Sequence, residues 1–326
     1  MTNFRTDVSI KPSESKIGLQ SAVLTVGSCF ADAIGQRLLQ NKFLASVNPF
    51  GTLYNPVSIH KALLYTIHQE PPSDHTYVNH NDLCLNYDFH STFSHPDKNI
   101  FMSHIQNVIG TSHYFLKDAD RILITYGTAW VYSRKDTGEI VANCHKLPAS
   151  AFSKSLLTEN VILESFKTLY RSLKVFNPHA RIILTLSPVR HLKDTLALNS
   201  VSKSMLRLAC HRIVESYPDV EYFPAYEIVM DDLRDYRFYK SDMLHPTEDA
   251  EDYIWEKFSS CYFDEETLAF LKQWQSIRSA LAHKPFHPAS SAHQQFLRDT
   301  LKKIEAIKNK IDTSEEAAFI KAQLVQ

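Results

Sequence analysis

The chain has 326 residues, 35 Lys and Arg against 36 Asp and Glu, a net charge of −1 and 44% hydrophobic residues. That length allows one large α/β domain plus an annex, and the near-neutral balance leaves no electrostatic footprint for nucleic acid or an anionic membrane. Five cysteines without a C-x-x-C pair, an N-terminus (MTNFRTDVSIKPSESK) without an apolar core, and no run approaching roughly 18 apolar residues point to a cytoplasmic protein with reduced thiols.

The first element is a short apolar run, Ala22 to Val26, which reads as a buried parallel strand broken at Gly27. A helix follows over about 30–41, with Phe30, Ile34 and Leu38 on one face. SVNPFGTLYNP is a loop, 57–68 a helix, 83–89 an alternating half-exposed strand, and 97–118 mostly helix. Ile122–Ile124 is a second buried strand ending at Gly127, and 129–144 a hairpin turning at Asp136-Thr137-Gly138. A helix over 158–176, a strand at 181–186, a helix over 200–216 and a strand at 220–223 complete the alternation. Strands and helices at this spacing predict a parallel sheet covered on both faces, with ligands at the carboxyl ends of the strands.

The character changes at 264, so the expected domains are 1–263 and 264–326. Phe270, Trp274, Ile277 and Leu281 stripe one helix. After a Pro/Ser linker at 284–292, Leu297, Leu301, Ile304 and Ile311 stripe another. Thr313 and Glu316 fit a capping box for a last short helix. These helices are expected to pack on the first domain or to form a homo-oligomer contact.

Two stretches carry chemistry. The sequence has only seven glycines, and one of them, Gly27, precedes Ser28 between a strand and a helix, a geometry that lifts a hydroxyl beside helix amides able to hold an anion. More than 200 residues later, SDMLHPT puts Asp242 and His245 three apart, with Thr247 capping the next helix. A hydroxyl nucleophile needs a base, and an imidazole base needs a carboxylate to fix its tautomer, so Ser28, His245 and Asp242 are the expected triad.

GSCFA at 27–31 resembles the motif that names the GSCFA family, a branch of the SGNH/GDSL hydrolase superfamily. The resemblance continues through VNPFGTLYNPVSI, YGTAWVY, VANCHKLP, SPVRHLKD and FPAYEIVMDDLRDYRFYKSDMLHP. It implies an SGNH-hydrolase-like, flavodoxin-like three-layer α/β/α fold. It also implies a serine esterase acting on a short acyl ester, an O-acetyl group of a carbohydrate or similar polar metabolite, with an acyltransferase or a non-catalytic binding module as the alternatives. It places Ser28 at the nucleophile position and leaves Cys29 packed inward. SGNH enzymes draw oxyanion donors from a glycine amide and a G-x-N-D asparagine; here the segment is GTAW, and Ala129 stands at the asparagine's place.

The Ser28 and Gly51 amides are then the expected backbone donors, and Thr128, Asn143 and His90 the candidate side chains. Asn143 closes the hairpin that begins beside GTAW, so it is expected within reach of Ser28. His90, Trp130, His145, Arg190 and His191 are expected along the substrate side. Asp88, His90, His95 and His145 form the least scattered metal-type set, but their spacing matches no zinc pattern, and neither metal nor cofactor is expected.

Overall fold

The computed structural model describes residues 5–325 and divides into two compact units, Met1–Ser15 with Gln20–Tyr262, and Lys16–Leu19 with Phe263–Gln326. In chain order the first unit runs β1 (Val23–Gly27), α1 (Cys29–Gln40), β2 (Ala45–Val47), α2 (Pro56–His68), β3 (Tyr77–His80), β4 (Leu83–Asn86), β5 (Ser94–His95), α3 (Lys98–Lys117) and β6 (Arg121–Tyr126). It continues with β7 (Trp130–Arg134), β8 (Ile140–Val141), β9 (Phe152–Leu156), α4 (Glu159–Phe176), β10 (Arg181–Leu186), α5 (Thr195–Ser216), β11 (Val220–Phe223), the single turn α6 (Ala225–Glu227) and α7 (Glu248–Tyr262).

Five strands form one parallel sheet in the order β11-β10-β6-β1-β2. Renumbered within the sheet this is 5-4-3-1-2, the flavodoxin-like order, whose ligand site lies where the order reverses. The α/β class and the parallel sheet expected from the sequence are both present. All five residues of β1 and all six of β6 are buried, which is why these runs are apolar without a polar alternation. Leu24, Val26, Ile122, Ile124, Ile182 and Leu184 share a core with Ile59 and Leu63 of α2, Phe101 and Ile105 of α3, Phe166 of α4 and Leu206 of α5. The opposite face takes α1, where Gly35 comes so close to Val47 and Thr25 that an added Cβ would sit 2.5 and 2.8 Å from their side chains. Phe258 of α7 meets Phe223 of β11 edge-on. Helices thus cover both faces.

The edge strand β2 lies in the stretch read as loop; three half-buried residues give no periodicity to detect. The hairpin of β7 and β8 has the expected turn, and β9 adds an unforeseen third strand on the other side of β7. A second antiparallel set, β3-β4-β5, includes the predicted strand at its centre.

Registers carry Gly27 opposite Thr125 and Tyr126 opposite Leu186, so the chain leaves β1, β6 and β10 at one rim. Gly27 has φ +133°, and a Cβ there would stand 2.1 Å from the Thr125 carbonyl oxygen. Gly27→Ala is therefore expected to cost about 3 kcal/mol or more through strain and overlap together. Urea unfolding reads this directly; a loss below about 1 kcal/mol would show that the strand end yields.

In the second unit α8 (Glu265–Leu281), α9 (Ser291–Ile307) and α10 (Ser314–Lys321) enclose Phe270, Trp274, Ile277, Leu297, Ile304, Ile307 and Ile320. Leu301 and Ile311 lie at the border of this core rather than in it. The expected capping box is not formed: the Thr313 side chain accepts no cap hydrogen bond, and Asp312 Oδ1 accepts from the Ser314 amide at 2.9 Å instead.

Candidate active site

Asp242 and His245 sit in the turn before α7. Asp242 Oδ1 accepts the amides of Leu244 (2.8 Å) and His245 (3.0 Å), which fixes the carboxylate within its own turn. Its Oδ2 takes His245 Nδ1 at 2.7 Å. The two backbone amides, followed by the imidazole, hold the Asp242 carboxyl down to about 2. The carboxylate is therefore ionised at neutral pH and fixes the proton of a neutral imidazole on Nδ1, which leaves Nε2 to act as a base.

Three residues on one face of α5 hold the rim together. Asn199 Oδ1 accepts the His191 amide at 3.1 Å, Ser202 Oγ accepts the Ala129 amide at 2.7 Å, and Lys203 Nζ donates to the carbonyls of Gly127 (2.8 Å) and Ser187 (2.6 Å). Lys203 is 2% exposed, and burial pulls its ammonium down to about 7, with Cys29 opposing the shift. A neutral amine has two N–H donors, and two carbonyls meet it. On the far side of β1, Asn48 (φ +41°) accepts the Gly27 amide at 2.8 Å and donates to Asp32 Oδ1 at 2.8 Å. The Tyr54 carbonyl takes the amides of Gly127 (2.8 Å) and Thr128 (3.0 Å).

The base turn joins this rim through the Arg190 amide, which donates to the Leu244 carbonyl at 3.3 Å. His191 packs edge-on to Tyr54, its buried Nε2 lacks a hydrogen-bond partner, and burial followed by Lys203 pulls it down to about 4. The Arg190 guanidinium stacks on the Tyr239 ring at 4.0 Å. Its plane is held on an aromatic platform at the rim.

The other residues singled out in the sequence are placed as follows. Ser28 is 1% exposed; its Oγ caps α1 by accepting the Phe30 amide (3.4 Å), and no hydrogen bond joins it to His245 among the described residues. The Ser28 amide donates to the Thr125 carbonyl (3.0 Å) and the Gly51 amide to the Asn48 carbonyl (2.8 Å), so neither is a free oxyanion donor. Cys29 is partly buried, beside the fully buried Ser28. Thr128 Oγ1 pairs with Ser202 Oγ (3.0 Å) and accepts the Trp130 amide (3.0 Å).

Asn143 ties the hairpin down: its amide goes to the Tyr87 carbonyl, and its Oδ1 accepts the His145 amide at 2.8 Å. Its partners are thus Tyr87, just after β4, and His145. His145 is buried, with Nε2 on the Asn86 carbonyl (2.7 Å). His90 packs against Gly51 and pairs with Thr92, and Trp130 Nε1 donates to the Leu198 carbonyl (3.2 Å). Of the metal-type set, Asp88 holds Lys61 (2.8 Å) and Tyr65 (2.8 Å), and His95 takes the Asp97 amide.

Lys203 escaped the sequence reading, although Asn199, Ser202, Leu206, Ala209, Cys210 and Ile213 place it on the buried stripe of α5. No helix among the described residues is long and apolar enough to cross a membrane.

The family model described as "GSCFA family" matches residues 22–258, and that described as "GSCFA domain protein, C-terminal domain" matches 274–326. No curated protein matches the chain in sequence. Among solved structures, a Streptococcus pneumonia protein provisionally described as a platelet activating factor aligns at 11% identity, over 73% of this chain and 84% of that one, with TM-score 0.37. A carbohydrate esterase family 3 protein of Talaromyces cellulolyticus aligns at 7% identity, over 78% and 99%, with TM-score 0.34.

Proposed function

The chain belongs to the GSCFA family, and from that premise we propose that its first unit is an SGNH-type esterase working through an acyl-enzyme. The substrate class is the one the family resemblance implies: a short acyl ester, an O-acetyl group on a carbohydrate or similar polar metabolite. The observation that carries the reading is the Asp242–His245 pair at 2.7 Å, tied to the rim where β1, β6 and β10 end. In this reading His245 Nε2 is the general base, Asp242 holds its tautomer, and the step from β1 into α1 supplies the nucleophile.

The rim turns at Gly127, Ser187 and His191 are fixed by α5 and so form a rigid wall for the bound ester. A panel of p-nitrophenyl esters of rising chain length and acetylated sugars, run on wild type and His245→Ala, tests the reading. Hydrolysis of the short esters, lost in the variant, is expected. No turnover of any ester, or turnover indifferent to His245, would refute it.

A further inference from the structure

The turn that carries His245 is bound to the segment just before it. The Lys240 amide donates to the His245 carbonyl at 2.8 Å, Tyr239 bridges Pro246, and the Thr247 amide donates to the Phe238 carbonyl at 2.9 Å. The chain beyond β10 joins the same turn through the Arg190 amide, which reaches the Leu244 carbonyl at 3.3 Å. Main-chain bonds thus carry two tyrosines and one arginine to the side of the base turn. The Arg190 guanidinium lies 4.0 Å from the ring centre of Tyr239 and 5.5 Å from that of Tyr236, and the two rings stand 6.1 Å apart at 46°. Tyr239 is buried, whereas Tyr236 is 64% exposed.

Stacking occupies the face of a guanidinium and leaves its N–H edge, which lies in the plane, to an acceptor. Elsewhere in this chain that edge meets a carboxylate. Arg207 stacks on Tyr222 at 4.2 Å and donates to Glu227 at 2.8 Å; Arg134 stacks on Tyr87 at 4.9 Å and donates to Asp136 at 2.6 Å. Arg190 has the stack without the carboxylate: among the described residues no acid pairs with it. Three acids of the neighbouring segment are engaged elsewhere, Asp242 within its own turn, Asp235 on Arg237 (3.9 Å) and Asp232 on Arg5 (2.9 Å).

We propose that Arg190, with Tyr236 beside it, is a specificity site for an anionic group on the alcohol half of the ester, so that the substrate is an acylated acidic sugar bearing a carboxylate or a phosphate. This rests on the esterase reading above and narrows its substrate class. The acyl group in that reading is short, so the recognised charge belongs to the alcohol. A planar fork already fixed by stacking loses little freedom on binding and takes carboxylate or phosphate oxygens in pairs. The open face of Tyr236 offers a flat apolar surface to the C–H face of a sugar ring. Both residues are tied to the base turn, so an anion held there sets the position of the ester relative to His245.

The test uses the whole chain and three substrates that share one ring: mono-O-acetylated methyl glucoside, the matching glucuronoside and the matching glucoside 6-phosphate, each as mixed positional isomers. Wild type is expected to favour at least one charged sugar over the neutral one by about 10–100-fold in kcat/KM, chiefly through KM, as befits a charge-assisted hydrogen bond. The preference should shrink as salt is raised, collapse in Arg190→Gln and return in part in Arg190→Lys. Which charged sugar leads tells carboxylate from phosphate. A wild type that hydrolyses the neutral sugar as well as both charged ones, or a preference that survives in folded Arg190→Gln, overturns the inference while the esterase reading stands. Turnover of p-nitrophenyl acetate but of none of the three sugars does the same. Failure to hydrolyse any ester overturns both. Should Arg190→Gln not fold, the wild-type preference and its fall with salt decide alone.

Discussion

His245→Ala is expected to lower kcat for short-ester hydrolysis by about 10⁶-fold, because a nucleophile and its base act as one unit and losing either forfeits nearly the whole effect. Asp242→Asn is expected to lower it by about 10⁴-fold, since an amide in the carboxylate's place favours the wrong imidazole tautomer. The acid side of the pH–rate profile has an assignable source. Asp242, held near 2 by the Leu244 and His245 amides, stays ionised throughout, and His191, near 4, stays neutral above about pH 5. A fall of activity on acidification is therefore expected to come from a group other than these two, and Asp242→Asn should be slower at every pH. Stopped-flow or steady-state release of p-nitrophenol measures both, and a flat profile with an undiminished Asp242→Asn rate would remove the pair from the reaction.

Lys203→Met should damage stability and rate together. It leaves the carbonyls of Gly127 and Ser187 without their donor inside the protein, at about 1–3 kcal/mol each, so a loss of about 2–6 kcal/mol is expected. Both rim turns are then free to shift, and a displacement of about 1 Å typically costs on the order of 10² in rate.

The pH dependence of the stability loss is diagnostic. The amine titrates near 7 when folded and near 10.4 when unfolded, so between these values the unfolded chain binds more protons and this group's contribution to stability rises with pH. Below about 7 the penalty is complete and constant. The stability gap between wild type and Lys203→Met should therefore widen from pH 7 to pH 9 in urea titrations. A constant or narrowing gap would mean that the lysine stays charged in its carbonyl cradle.

How far the sequence could be read follows from what each feature depends on. β1, β6, β10 and β11 announce themselves because strands buried in a parallel sheet are apolar runs closed by Gly, Ser or Pro. β2, β3 and β9 are short and partly exposed, and their place is set by partners distant in sequence. Asp242 and His245 were legible because three residues of spacing within one turn suffice to join them.

The environments of Ser28 and Cys29 were not legible, because they turn on where α1 begins: Ser28 is its buried cap and Cys29 its first, partly buried residue. The oxyanion candidates failed for a related reason. Whether an amide is free depends on loop geometry such as the positive φ of Asn48, which lets one side chain hold Gly27 and Asp32 at once. Lys203 shows that a lysine in a helix need not face water when two strand-end carbonyls lie opposite it.

The helix behind the base turn closes on the helix behind the nucleophile step: Arg37 of α1 pairs with Glu251 (3.0 Å) and Asp252 (2.7 Å) of α7. These two halves are more than 200 residues apart in the chain. At a synthesis rate of roughly 5–20 residues per second, ~10–40 s separate their emergence from the ribosome. During that interval the growing polypeptide carries the β1–α1 step without the Asp242–His245 turn. Under the proposed esterase reading, a product terminated before α7 is therefore expected to lack activity toward esters.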